Sequence, residues 1–175
     1  MAAESMLYPV NNEIRQAQLL DGLWNFQFDE HSEGMEKKWQ KTGLPNAIKM
    51  PVPASFADVF TEAKERDYCG DFWYEHEFYI RKIEKDITYA IRFGSVTHRC
   101  LIFCNGVLVR EHEGGFLPVV ADISDCIQVG KNVLTVLVNN ELNDTSIPCG
   151  TTLQKNEKKV CIPSFDFFNY SGIHR

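Results

Sequence analysis

The chain has 175 residues, 44% of them hydrophobic and 24% charged, which suits one globular domain with a substantial core. Lys and Arg number 18 against 24 Asp and Glu, a formal net charge of −6. That balance argues against a nucleic-acid partner, which needs a concentrated cationic face, and no run approaches the roughly 18 apolar residues that span a bilayer.

Residues 1–5 read as an appended stretch, with Met6 as a second start. They carry neither the basic start nor the apolar run of a signal peptide. Trp24, Phe26 and Phe28 alternate with Asn25, Gln27 and Asp29, which predicts a half-buried strand. Gly34 to Lys41 is expected to hold a helical turn. Phe56 to Glu65 is expected to hold one or two, with Asp58, Glu62 and Glu65 on the wet side. Two further alternating runs follow, one on Tyr74, His76, Phe78 and Ile80, the other on Ile87, Tyr89, Ile91 and Phe93.

Cys100 to Cys104 is apolar at every position, the pattern of a strand covered on both faces. Asn105-Gly106 follows, and this pair favours a two-residue type I′ hairpin turn because both residues accept positive φ. Val107 to Val109 and Val119 to Ile123 read as strands, Gly130-Lys131-Asn132 as a turn, and Val133 to Asn139 as another strand. Glu141 to Ser164 reads as one long irregular stretch. Many short strands with little helix predict an all-β sandwich or jelly roll with one or two short helical turns.

The six cysteines form no Cys-x-x-Cys pair and fit no zinc spacing. They are expected to be buried reduced thiols, which implies a cytoplasmic compartment. On that expectation the sequon Asn143-Asp144-Thr145 carries no meaning. The five His residues are scattered without metal-binding spacing, so neither metal nor cofactor is expected. Asp58, Glu62 and Glu65 read as a solvated helix face, and Glu111 and Glu113 as a hydrated strand end. Asn156, Glu157 and Lys158 lie in a charged loop that reads as solvated.

Asp166 stands out. It sits among Phe165, Phe167, Phe168 and Tyr170, just before Ser171-Gly172-Ile173-His174-Arg175. Apolar surroundings penalise a carboxylate unless it is paired or used. Aromatic faces beside a carboxylate suit a sugar, whose C–H groups stack on rings and whose hydroxyls donate to the carboxylate. A structural Asp bonded to backbone donors or to Arg175 is the equal alternative at this point.

Several ordered blocks carry a family resemblance. They are Leu20-Asp21-Gly22-Leu23-Trp24-Asn25-Phe26, Val52-Pro53-Ala54-Ser55-Phe56, Asp67-Tyr68-Cys69-Gly70, Ser95-Val96-Thr97-His98, Glu111-His112-Glu113-Gly114-Gly115-Phe116, Val138-Asn139-Asn140-Glu141-Leu142-Asn143 and the block from Asp166 to Arg175. The chain resembles the N-terminal sugar-binding domain of bacterial β-glucuronidases, within the family-two glycoside hydrolases. The resemblance implies a galactose-binding-like jelly roll over residues 1–175, joined in the parent to an immunoglobulin-like sandwich and a catalytic β/α barrel. It implies a homo-oligomeric parent enzyme acting on β-glucuronides, with both catalytic Glu residues in the barrel and none in this chain. Asp166 matches the family's Asp that hydrogen-bonds hydroxyls of the bound sugar. The family often carries His where Phe165 stands and usually Ala where Cys69 stands. Family chains continue past His-Arg into a further strand, so the chain is expected to be a fragment.

Three functions therefore stand open: an accessory domain contributing Asp166 to a glucuronidase site, a free-standing carbohydrate-binding module, and a structural domain for assembly without ligand contact.

Overall fold

The structure, a computed structural model, describes residues 8–156 and 158–175. Residues 1–5, expected to be an appended stretch, lie outside them, as does Glu157 of the charged loop. In chain order the elements are β1 (Gly22–Asp29), α1 (Trp39–Thr42), β2 (Ile48–Val52), α2 (Phe56–Val59), α3 (Ala63–Arg66), β3 (Asp71–Ile80), β4 (Ala90–Phe93) and β5 (Val96–Thr97). They continue with β6 (Arg99–Cys104), β7 (Val107–Glu113), β8 (Val119–Asp122), β9 (Gly130–Asn139), β10 (Gly150–Lys155), β11 (Lys158–Pro163) and β12 (Gly172–Ile173). No described helix is long and apolar enough to cross a membrane.

The main sheet has six antiparallel strands in the order β2-β1-β3-β9-β6-β7. Three two-stranded ladders accompany it: β4 with β8, β5 with β12, and β10 with β11. The expected all-β sandwich with short helical turns is present. Side-chain alternation builds two apolar clusters from one sheet. Trp24 and Phe26 of β1, Phe72, Tyr74 and Phe78 of β3, and Cys100, Ile102 and Cys104 of β6 turn to one face. There they meet Ile91 and Phe93 of β4 with Val119 and Ala121 of β8. On the other face Trp73 and Phe103 pack with Trp39 of α1, flanked by Leu44, Leu101 and Leu137. This double burial is why Cys100 to Cys104 is apolar throughout.

Buried Asp29 anchors the second cluster. Its Oδ2 accepts from Trp73 Nε1 at 3.0 Å and from the Gly34 N–H at 2.8 Å, and its Oδ1 accepts from the Glu33 N–H at 2.8 Å. A buried carboxylate with three donors is satisfied and fixes the turn that leads to α1. The hairpin between β6 and β7 turns through Asn105 and Gly106, with φ of 50° and 77°, the positive pair expected of type I′.

Four expectations need correction. Gly130-Lys131-Asn132 opens β9 instead of forming a free turn, because β3 pairs along its whole length and places Ile80, Tyr79 and Phe78 opposite these residues. Strand β4 begins only at Ala90, leaving Ile87 exposed before it. The stretch from Glu141 to Ser164 holds a hairpin of six residue pairs, β10 with β11. Its strands are largely exposed and Lys- and Thr-rich, so backbone pairing is not echoed in a hydrophobic pattern. The fourth concerns the thiols.

Cys69 and Cys161 form a disulfide across 92 residues of sequence. Spacing rules could not find it, since the pair meets only when β11 folds back beside the start of β3. Cys100 and Cys104 are buried thiols as expected, Cys126 is half-buried and Cys149 is exposed. Alkylation of the denatured, unreduced protein should therefore label four of its six cysteines by mass spectrometry. Adding reductant should raise the count to six and lower the unfolding free energy by about 2–5 kcal/mol. Six labels without reductant would show that the bridge is not made.

Candidate functional site

The segment 165–170 joins β11 to β12 at one end of the sandwich, and its C-terminal side is tied down by backbone bonds. β12 pairs with β5, Gly172 opposite Thr97 and Ile173 opposite Val96. The Ala54 N–H donates to the Ile173 carbonyl at 2.9 Å and the Phe56 N–H to the Ser171 carbonyl at 3.2 Å. The Ser171 N–H donates to Ser55 Oγ at 3.0 Å. The Gly94 and Ser95 N–H groups both donate to the Arg175 carbonyl, at 2.9 and 3.1 Å. Gly172 has φ of +99°, and a Cβ there would lie 2.2 Å from Tyr74 Oη. Only glycine allows the chain to pass over Tyr74 at that point.

Asn140 ties three blocks together. Its Oδ1 accepts from the Gly70 N–H at 2.9 Å, and its Nδ2 donates to the Tyr68 carbonyl at 2.8 Å and to Ser171 Oγ at 3.1 Å. Upstream, the Ser164 N–H donates to the Cys149 carbonyl at 3.1 Å. The segment thus leaves a disulfide-tethered hairpin and enters a buried strand.

Asp166 is exposed, and among the described residues no hydrogen bond or ion pair reaches its carboxylate. It is not buried under the rings, and Arg175 does not pair with it. Phe165 and Phe167 stack at 4.3 Å, on the side that alternation gives them. Phe168 meets Tyr170 edge-on at 4.9 Å, and Tyr170 stacks on His174 at 5.0 Å. Phe167 and Phe168 remain 55% and 46% exposed, so the segment presents apolar ring surface beside a free carboxylate.

Behind it lie two imidazoles that the sequence reading treated as scattered. His174 Nε2 lies 2.8 Å from Ser95 Oγ. Ser95 Oγ and Thr97 Oγ1 both hydrogen-bond the Gly115 carbonyl. His98 Nε2 lies 3.3 Å from Asn169 Oδ1. Phe116 lies between the rings, 6.5 Å from His98 and 5.6 Å from His174. The fold therefore gathers the Ser95, Gly115 and Asp166 blocks at one place. Burial pushes His98 down to about 4, with the Asn169 bond opposing and Arg99 and His174 adding to the fall. Burial also lowers His174. Both rings are neutral near pH 7.

Asp58, Glu62 and Glu65 lie along α2, α3 and the link between them, and Glu111 and Glu113 are exposed on β7. Neither set joins the Asp166 segment through a hydrogen bond. No group of three or more His, Cys, Asp or Glu among the described residues could hold a metal ion.

The sugar-binding domain of glycosyl hydrolases family 2 matches residues 17–175. The chain belongs to this family. Among similar proteins, this family-2 domain is 38% identical over 176 residues to a β-glucuronidase of Streptococcus agalactiae, covering 97% of the chain and 28% of that protein. It is 36% identical over 189 residues to the β-glucuronidase of Mus musculus, covering 97% and 29%. A Ruminococcus gnavus β-glucuronidase structure superposes with a TM-score of 0.93 at 53% identity, over 99% of this chain and 29% of that one. Another structure of a β-glucuronidase from Ruminococcus gnavus, in complex with D-glucuronic acid, gives 0.90 at 54%, over 97% and 30%. The family-2 domain thus spans under a third of the length of these relatives.

The buried imidazoles give the domain a pH dependence. A His whose pKa is lower in the fold than its ordinary 6.5 binds fewer protons there than in the unfolded chain. Its neutral-state stability is full above about pH 6.5 and is lost as pH falls toward about 4. Urea midpoints should fall between pH 7 and pH 4.5, and His98→Gln should flatten that fall. Equal slopes in wild type and variant would exclude His98 as the cause.

Proposed function

We propose that this chain is the N-terminal sugar-binding domain of a retaining β-glucuronidase and that Asp166 accepts hydrogen bonds from hydroxyls of the bound β-glucuronide. The observation that carries this reading is the unpartnered, exposed carboxylate on a segment whose far end is fixed by β12. A structural Asp would have protein donors around it, and this one has none among the described residues. The exposed rings of Phe167 and Phe168 that follow it supply the apolar surface that sugar C–H groups favour. The likeness over 97% of the chain to β-glucuronidases, one of them in complex with D-glucuronic acid, supports the substrate class.

Bond cleavage needs two carboxyl groups about 5–9 Å apart across the glycosidic bond. The family pattern places that pair in the barrel, and we assign no catalytic residue to residues 1–175, which form one domain on this reading. Its partners are then the immunoglobulin-like and barrel domains of its own parent, which assembles as a homo-oligomer. The exposed Phe167 and Phe168 favour such contact. We keep the cytoplasm as the proposed compartment on the strength of four unpaired thiols; the Cys69–Cys161 bridge is the observation that weighs against it.

In the full-length enzyme, Asp166→Ala should lower kcat/KM for a chromogenic glucuronide by about 10- to 150-fold, the loss of one charge-assisted hydrogen bond of about 1.5–3 kcal/mol. An unchanged kcat/KM would remove Asp166 from the site. The 175-residue chain alone should show no turnover of the same substrate. Titration of that chain with glucuronate separates this reading from a free-standing binding module: heat that saturates would favour the module, and a flat trace the accessory domain.

A further inference from the structure

We propose that His98 is a positioning residue for Asp166: its Nε2–H holds the Asn169 side chain and so fixes the segment that presents the carboxylate. This inference deepens the proposed function and rests on it only for the enzymatic half of its test.

The segment 165–170 has few restraints of its own. Among the described residues no backbone hydrogen bond joins it to the sheets, and backbone pairing resumes only at Ser171 and Gly172. Its side chains must therefore hold it, and among the described residues Asn169 is the one side chain of the segment with a hydrogen-bond partner. That partner is well anchored. The His98 N–H donates to the Asn139 carbonyl of β9 at 3.0 Å, and the His98 carbonyl accepts from the Gly114 N–H at 3.0 Å. His98 is 2% exposed.

The two ring nitrogens differ in surroundings. Among the described residues nothing hydrogen-bonds Nδ1. Gly115 packs against it so closely that a Cβ there would lie 3.1 Å from Nδ1 and 2.9 Å from a Thr97 methyl. A neutral imidazole carries one proton. Placed on Nε2, that proton meets the Asn169 Oδ1 acceptor, and Nδ1 is left as the acceptor without a partner. The bond then orients the Asn169 amide with its N–H groups turned away from His98. Asn169 lies three positions after Asp166, so a freed Asn169 would release the carboxylate with it. The Tyr170–His174 ring stack is a further contact, one residue on.

The position of the donor distinguishes this role from simple filling of space. Gln places its amide nitrogen near the site of Nε2, and Asn near that of Nδ1. Backbone 15N relaxation on the 175-residue chain reads the segment directly. Order parameters over residues 166–170 should stay near the rigid value of about 0.85 in wild type and His98→Gln, and fall below about 0.6 in His98→Asn and Asn169→Leu. Amides of β3 and β9 serve as the fold control. Asn169 is only half-buried, so Asn169→Leu decides the matter if His98→Asn fails to fold. Equal order parameters in all four chains would overturn the proposal. So would equal loss in His98→Gln and His98→Asn, since packing alone would then explain it.

In the full-length enzyme, His98→Asn should lower kcat/KM about fivefold, chiefly through KM, as one neutral hydrogen bond allows. His98→Gln should recover most of it, and neither change should matter further once Asp166 is Ala. An undiminished effect in the Asp166→Ala background would overturn the link between the two residues. If Asp166→Ala is itself silent, the sugar-contact reading falls while the order parameters still decide the positioning.

Discussion

The pairing of β3 with β9 is the constraint from which the rest of the molecule follows. Ten residue pairs run from Asp71 opposite Asn139 to Ile80 opposite Gly130. Because strand side chains alternate, this ladder sends Tyr74 to one face and Trp73 to the other. Tyr74 lies under Gly172 and sets how closely β12 can approach. Trp73 donates to Asp29 and sets the turn before α1. One strand therefore specifies both clusters and the seat of the candidate site.

That seat is built from the blocks that make the chain recognisable, yet almost none of them offers a side chain to a ligand. Asn140, Ser55, Ser95 and Gly115 spend their hydrogen bonds within the protein, on Tyr68, Gly70, Thr97, one another and the last five residues. They form a rigid frame around a short exposed segment. Preorganised support of this kind lets a carboxylate meet a hydroxyl without first losing conformational freedom. Those four residues are hydrogen-bonded within the protein, whereas Asp166 is left open to its surroundings.

Legibility in the sequence followed the physics of burial. Strands with one wet face, such as Trp24 to Asp29, announce themselves by period two, and Asn105-Gly106 announces its turn through the need for positive φ. The hairpin of β10 and β11 was not visible because both of its faces are largely exposed, so Thr151 to Lys159 carries no alternation to read. Gly130-Lys131-Asn132 looked like a turn by composition, but pairing with β3 overrode local preference. Asp166 could be singled out from its aromatic neighbours alone. His98, Asn169 and His174 could not, because their meeting depends on β5, β7 and β12 arriving at one corner. The one available signal is Gly114-Gly115, a pair that permits the close backbone approach Gly115 makes to Thr97 and His98. The disulfide was likewise beyond spacing arithmetic.

The Cys69–Cys161 bridge has a consequence for the integrity of the chain. It closes a ring that contains most of the main sheet, from β3 through β10. Residues 81–88 lie wholly exposed within that ring. A protease cutting there would open a backbone bond without producing two separate molecules, because sulfur would still join the halves. Such a nicked protein would migrate as a single species until a thiol was added, and its C-terminal corner would remain fastened to the root of β3.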